Sequence, residues 1–211
     1  MSRICWIRND DSGEIQPCEE EFMQVFVDEG ASLNMEVIPA MVKVRAPIVW
    51  KPFLKTNLFE LHCHGRSHLE FTECNEYPDN RDSDEIDLEF STSKKHLKKV
   101  FGDYFKPYFT APWEKLSPEA ERIVRLNFIK ISPNDIPINI NLRIHDSSGV
   151  KRWKTLGELI QDVNSLEDDS KIGILTHHYL YKKNDPALVT LKLFIQYLKK
   201  EGYEFKKFSE L

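Results

Sequence analysis

Glu60-Leu61-His62-Cys63-His64-Gly65-Arg66-Ser67-His68 holds three of the seven histidines in the chain and follows an apolar, aromatic run that reads as a buried strand. Gly65 ends that strand. His64 and His68 lie four residues apart, a spacing that turns two imidazoles the same way on a helix or tight turn. Two converging imidazoles make half of a divalent metal site. Histidines fall four apart by chance often enough that the pair carries little alone. A third ligand has to come from elsewhere in the chain, and Asp10-Asp11 offers one.

Outward from this stretch, short apolar runs alternate with helical patterns, as in repeated β/α units. Strands are expected at 4–9, 35–44 (broken by Pro39), 58–63, 104–110, 128–131, 138–144 and 171–176, with an edge strand at 203–208. Helices are expected at 17–29, 91–101, from Ser117-Pro118 onward, at 155–166 behind a capping box, and from Asp185-Pro186 to Gly202. Pro47 and Pro52 predict an irregular segment, and the acidic stretch 77–87 a solvated loop, since it lacks the spacing of a calcium-binding loop.

Four polar sites then fall at or just past the ends of four strands: Asp10-Asp11, His64 to His68, Ala111-Pro112-Trp113 and His177-His178. In a parallel β/α barrel all strand C-termini open onto one face, so residues distant in sequence meet there. Asp11, His64 and His68 would form a ligand set with an open position for water. Two imidazoles and a carboxylate suit zinc first, with nickel, cobalt or iron as alternatives. Asp10 beside the metal would take a proton from water, and a histidine across the site would give one to the leaving group.

Composition bounds this reading. With 211 residues the chain can bury a sizeable core within one domain, 1–211. An apolar content of 41%, a charged content of 30% and a net charge of −5 fit a globular protein and give no footprint for nucleic acid. No run is long enough to span a bilayer. Cys5, Cys18, Cys63 and Cys74 lack paired spacing and read as free thiols, which predicts a cytoplasmic protein. Nothing in the sequence specifies an oligomeric state.

These motifs resemble, in order, those of the polysaccharide deacetylase (NodB-homology, carbohydrate esterase family four) superfamily. Ile7-Arg8-Asn9-Asp10-Asp11 is similar to its Asp-Asp motif, His64 to His68 to H-[ST]-x-x-H, Thr110-Ala111-Pro112-Trp113 to R-x-P-[YW], and Leu175-Thr176-His177 to Leu-x-His. The pieces span residues 5–178. The resemblance implies a distorted (β/α)7-type barrel, mostly parallel strands surrounded by helices. It also implies metal-dependent removal of N-acetyl groups from sugars. It puts Asp10 in the role of base, Asp11, His64 and His68 on the metal, and His177 or His178 in the role of acid. The sequence alone leaves open which aspartate faces the metal. His64 to His68 with Glu89-Phe90, Pro112-Trp113 and the double histidine look like a WbmS-like branch associated with O-antigen loci.

The chain departs from the pattern at Thr110, where the superfamily has an arginine that orients the base, and at Gly65, where it has a hydroxyl residue. The fourth motif has no clear counterpart; Arg143, His145, Asp146 and Trp153 are the candidates. Plainer readings stand beside the functional ones. Asp10-Asp11 is also a common turn after a strand, His62 reads as a satisfied core histidine, and Trp113 serves equally as core or as a wall facing a sugar. The expected function is a metal-dependent hydrolase acting on an acylated amino sugar or similar carbohydrate, with Pro112 and Trp113 against the substrate. The rival, motivated by Thr110, is a degenerate module that binds a glycan or partner without turnover.

Overall fold

The computed structural model describes residues 3–132, 134–145, 151–167 and 170–211, with the backbone alone at residue 145. Its axis is β1 (Arg3–Ser12). Side chains alternate along a strand. Cys5 and Ile7 enter the main core, while Trp6 enters a smaller cluster with Ile136 and Phe208. Both faces of β1 are therefore covered, as in a parallel sheet wrapped by helices.

The chain continues through α1 (Glu19–Glu29), β2 (Leu33–Val37), α2 (Arg45–Leu54), β3 (Phe59–His64), α3 (Ser83–Phe101), β4 (Phe105–Thr110), α4 (Pro118–Asn127) and β5 (Lys130–Ser132). It is completed by β6 (Ile140–Asn141), β7 (Arg143–His145), β8 (Lys151–Trp153), α5 (Leu156–Asn164), β9 (Lys171–Thr176), α6 (Pro186–Lys200) and β10 (Tyr203–Phe205). The main sheet runs β5-β4-β3-β2-β1-β9-β6, with every pairing parallel. β10 pairs with the first residues of β1, below the point where β2 joins it. β7 and β8 form a separate antiparallel ribbon.

The sheet is curled. Arg8 on β1 donates to Ser132 Oγ on β5 at 2.8 Å, although a flat sheet with strands ~4.8 Å apart would hold these strands ~19 Å from each other. Among the described residues six helices surround this half-barrel, the distorted (β/α)7-type architecture that the resemblance implies. No helix among the described residues is long and apolar enough to cross a membrane. All four cysteines are free thiols.

Four segments depart from the sequence-based expectations. Residues 45–54 are helical despite Pro47 and Pro52. Pro47 sits in the first turn, where its missing N–H has no intrahelical partner to lose. Tertiary anchoring covers the rest: Trp50 is fully buried, stacks on Phe101, and donates from Nε1 to Glu19 Oε1 at 2.7 Å. The acidic stretch is not all loop. Asp82 caps α3 by accepting from the N–H groups of Asp84 and Glu85, and these two acids occupy the first turn, where the helix dipole favours them. The expected strand 138–144 is instead the two short strands β6 and β7, and expected strand 35–44 ends at Val37 before a 3-10 turn.

The barrel interior is layered. Trp6, Ile136 and Phe208 form an apolar floor. Above it, buried His62 meets Glu36 at 2.9 Å through Nδ1 and Glu60 at 2.8 Å through Nε2, and stacks on Phe208. Burial opposes a charge on His62, but Glu36 and Glu60 outweigh it and push its pKa up to about 9. His62 is thus a satisfied core cation joining β2 and β3. The C-terminal ends of the strands lie above this layer.

Candidate metal centre

At the end of β1 the register breaks. Asn9 pairs with Met35 and Ser12 with Val37, so β1 uses one residue more than β2 over the same span. That extra residue is a bulge, which re-aims side chains. Asp11 sits there with φ 60°. Asp10 keeps the inward alternation of Arg8, and the bulge turns Asp11 into the same pocket. Two adjacent aspartates therefore serve one site, which a regular strand forbids.

His64 ends β3 and is buried. Its Nδ1 donates to the Thr110 carbonyl at 3.0 Å, since a carbonyl can only accept. This leaves Nε2 facing Asp11 Oδ1 at 3.3 Å. A second partner that fixes ring orientation in this way is the usual support of a histidine ligand. Burial opposes a charge on His64, yet Asp10 and Asp11 push its pKa up to about 9. One positive charge between Nε2 and Asp11, proton or metal, is what the carboxylates favour.

His68 brings Nε2 to 3.1 Å from the same Asp11 oxygen. Burial and the neighbouring His64 lower its pKa. Asp11 Oδ1 is buried and has no hydrogen-bond donor. Burial opposes ionisation of Asp11, but His64, His68 and His177 together hold its carboxyl well below the usual range. The three ligand atoms lie within 4.8 Å of one another, and no other group of three such residues occurs among the described residues. An ionised oxygen without a donor, faced by two imidazole nitrogens, is a donor set that fits a divalent ion. Zinc, cobalt, nickel and iron all accept such a set.

The turn between the two histidines is built on Glu76. Its Oε1 accepts from Ser67 N at 2.8 Å, Ser67 Oγ at 3.0 Å and Arg66 N at 3.4 Å. Gly65 has φ 63°, and a Cβ there would lie 2.1 Å from Glu76 Oε2 and 2.6 Å from Pro112 Cγ. The glycine in place of a hydroxyl residue follows from this crowding.

His177 and His178 part company at the end of β9. His177 Nε2 stands 3.9 Å from Asp11 Oδ2, and burial lowers its pKa. His178 points behind the sheet. Its Nδ1 accepts from Asn9 Nδ2 at 2.8 Å, its N–H donates to Asn9 Oδ1 at 2.7 Å, and its Nε2 lies 3.1 Å from Glu19 on α1. It is fully buried against Phe22 and is not brought to the site. Trp113, also in the left-handed region at φ 52°, packs its ring 4.1 Å from that of His68. Pro112 is buried against Gly65.

Several residues at the site escaped the sequence reading. Arg8, fully buried, donates to both oxygens of Asp10, from Nε at 2.8 Å and Nη2 at 2.9 Å. Its remaining bonds go to Ser132 and to Glu114 Oε1 at 3.0 Å. The Arg8-x-Asp10 spacing was its signal, because residues two apart share a strand face. Tyr179 stands near Asp11 at the rim, and burial and Asp11 raise its pKa. Beside His177 a cleft of about 290 Å³ is lined by Asn141, Arg143, Lys151 and Tyr179. Of the fourth-motif candidates, Trp153 stacks on Tyr181 in the core, Asp146 lies outside the described residues, and Arg143 reaches the cleft.

Neither the family models nor the curated proteins yield a match to this sequence. Solved structures do. The Xyl-CE4 domain of a multidomain xylanase from the hindgut metagenome of Trinervitermes trinervoides matches with a TM-score of 0.70 at 17% identity, over 100% of this chain and 89% of its own. A family 4 acetyl xylan esterase from Clostridium thermocellum, solved with a cobalt ion, matches with a TM-score of 0.68 at 15% identity, over 99% and 89%. A CE4 family pseudoenzyme from Bacillus anthracis matches with a TM-score of 0.70 at 15% identity, over 100% and 65%. The fold of this chain is the one these family 4 carbohydrate esterases share, the polysaccharide deacetylase fold.

Proposed function

We propose that the chain is a single metal-dependent hydrolase domain that removes an N-acyl, in particular acetyl, group from an amino sugar or polysaccharide, including sugars of the O-antigen kind. One observation carries this reading. Asp11, His64 and His68 converge on one point at the strand ends, with Asp10 beside them and His177 opposite. Asp11, His64 and His68 would hold the ion, zinc or another metal of that class. When bound, such an ion polarises an acyl oxygen and makes water a stronger acid.

The chain's own groups do the remaining work. Asp10 accepts a proton from the attacking water. Arg8 takes one lone pair on each Asp10 oxygen, which leaves the others to accept. His177 delivers a proton to the leaving nitrogen, and burial, by lowering its pKa, favours release of that proton. Trp113, Pro112 and the cleft beside His177 would flank the sugar.

Acetate release from N-acetylated chito-oligosaccharides and from acetylated xylan, by metal-loaded protein and by chelated protein, tests the reading. The expected result is acetate from the amino sugar, lost on chelation and restored by metal. Metal bound at full occupancy without acyl release from either substrate would leave a binding module instead.

A further inference from the structure

Arg8 is among the largest side chains wholly buried in the protein. A guanidinium taken out of water costs several kcal/mol unless it is paired with good geometry. Here the geometry is side-on and bidentate. Nε and Nη2 each bind a different Asp10 oxygen, at 2.8 and 2.9 Å. Such a fork fixes the plane of a carboxylate as well as its place. The other two bonds anchor the fork itself: Nη1 to Ser132 on β5, and Nη2 to Glu114 in the turn after β4. Three parts of the barrel rim thus converge on one guanidinium, and among the described residues the buried carboxylate that it hydrogen-bonds is Asp10.

Arg8 also separates the two aspartates. It donates to both oxygens of Asp10, while Asp11 Oδ1 has no donor and faces the two histidines. We propose that Arg8 is the positioning residue of the catalytic site, holding Asp10 in the orientation of a base and leaving Asp11 to the metal. It does so from β1, in place of a residue at 110. Thr110 is the register partner of Ser132 on the neighbouring strand, so the two side chains point to the same side of the sheet. The Thr110 hydroxyl is buried and without a partner at that place. Arg8 therefore reaches the level of the barrel from which an arginine at 110 would approach Asp10. The intrastrand pair Arg8–Asp10 needs no assembly across the sheet to form.

This inference rests on the proposed hydrolysis for its effect on rate, but not for its effect on Asp10. Both are read in Arg8→Met, in Ser132→Ala, which removes only one anchor, and in the exchange Arg8→Thr/Thr110→Arg. Metal content, kcat and KM for acetate release, and the crystal structure of each variant are compared with wild type. In Arg8→Met the metal should stay stoichiometric, kcat should fall ~100-fold or more as for loss of a placed base, KM should hold, and the Asp10 carboxylate should leave its position. Ser132→Ala should lower kcat less, again without moving KM. The exchange should bring back Asp10 and most of kcat. If Arg8→Met fails to fold, Ser132→Ala and the exchange carry the same test. Asp10 unmoved in the variant crystals, or kcat unchanged, overturns the role of Arg8. No turnover in wild type, with Asp10 displaced in the variants, overturns the hydrolase reading and leaves the positioning intact.

Discussion

Asp10 and Asp11 are adjacent in sequence and unequal in surroundings. Asp10 is bound by a guanidinium, and Asp11 is faced by imidazoles. Asp10→Asn should keep its metal and lose turnover by ~100- to 10,000-fold, the usual contribution of a placed base. Asp11→Asn should lose both. Metal content and rate on the two variants check this, and metal lost only from Asp10→Asn would reverse the roles. The histidine pair divides in the same way. His177→Ala should lower kcat with little change in the unfolding midpoint. His178→Ala removes a fully buried ring together with its bond to Asn9 Nδ2 and its contact with Glu19, and should cost about 2 kcal/mol or more in urea unfolding. At this scale residue type was legible and orientation was not. His177 and His178 differ in sequence by one position, and only the path of the chain after β9 decides which faces the site.

At the level of elements, the site depends on places where regular structure is interrupted. The bulge in β1 and the left-handed residues Asp11, Gly65, His68 and Trp113 surround one pocket. Gly65→Ala should clash with Glu76 and Pro112 and displace the turn that carries His68. A loss of metal affinity at retained secondary structure is expected, measured by metal titration alongside circular dichroism. Apolar runs and caps announce most strands and most helices, though not the ribbon strand β8. The start of α3 was misread because acids in a first turn look like acids in a loop, and α2 because Trp50 is secured by distant Phe101 and Glu19. His62 adds a pH dependence. Its pKa rises from an ordinary 6.5 to about 9 in the folded chain, so its contribution is complete below about 6.5 and is lost as pH climbs through about 9. His64 without metal has the same sign and window. Urea midpoints of metal-free protein should therefore fall between those limits, and His62→Gln should remove part of that slope. A slope unchanged in His62→Gln would show that the pair with Glu36 and Glu60 adds no titrating stability.

For the whole molecule, the curl of the parallel sheet gives the strand ends a common mouth. It brings β1 and β5 within reach of one arginine. The alternation of short apolar runs and helices made the barrel legible, because each β/α unit buries its strand on both faces. The curvature that unites Asp11, His64 and His68 belongs to no single segment. Ligand binding to the folded state alone is linked to its stability. A divalent ion at a hundredfold excess over its dissociation constant should add about 2.7 kcal/mol, or ~5–10 °C in Tm for a domain of this size. His64→Ala should abolish that shift in a thermal melt. The most direct test of the metal centre is elemental analysis of metal-reconstituted wild type, His64→Ala and His68→Ala at matched folding. Stoichiometric divalent metal in wild type and its loss from both variants is the expected result; stoichiometric metal retained in both would contradict a centre built on Asp11, His64 and His68.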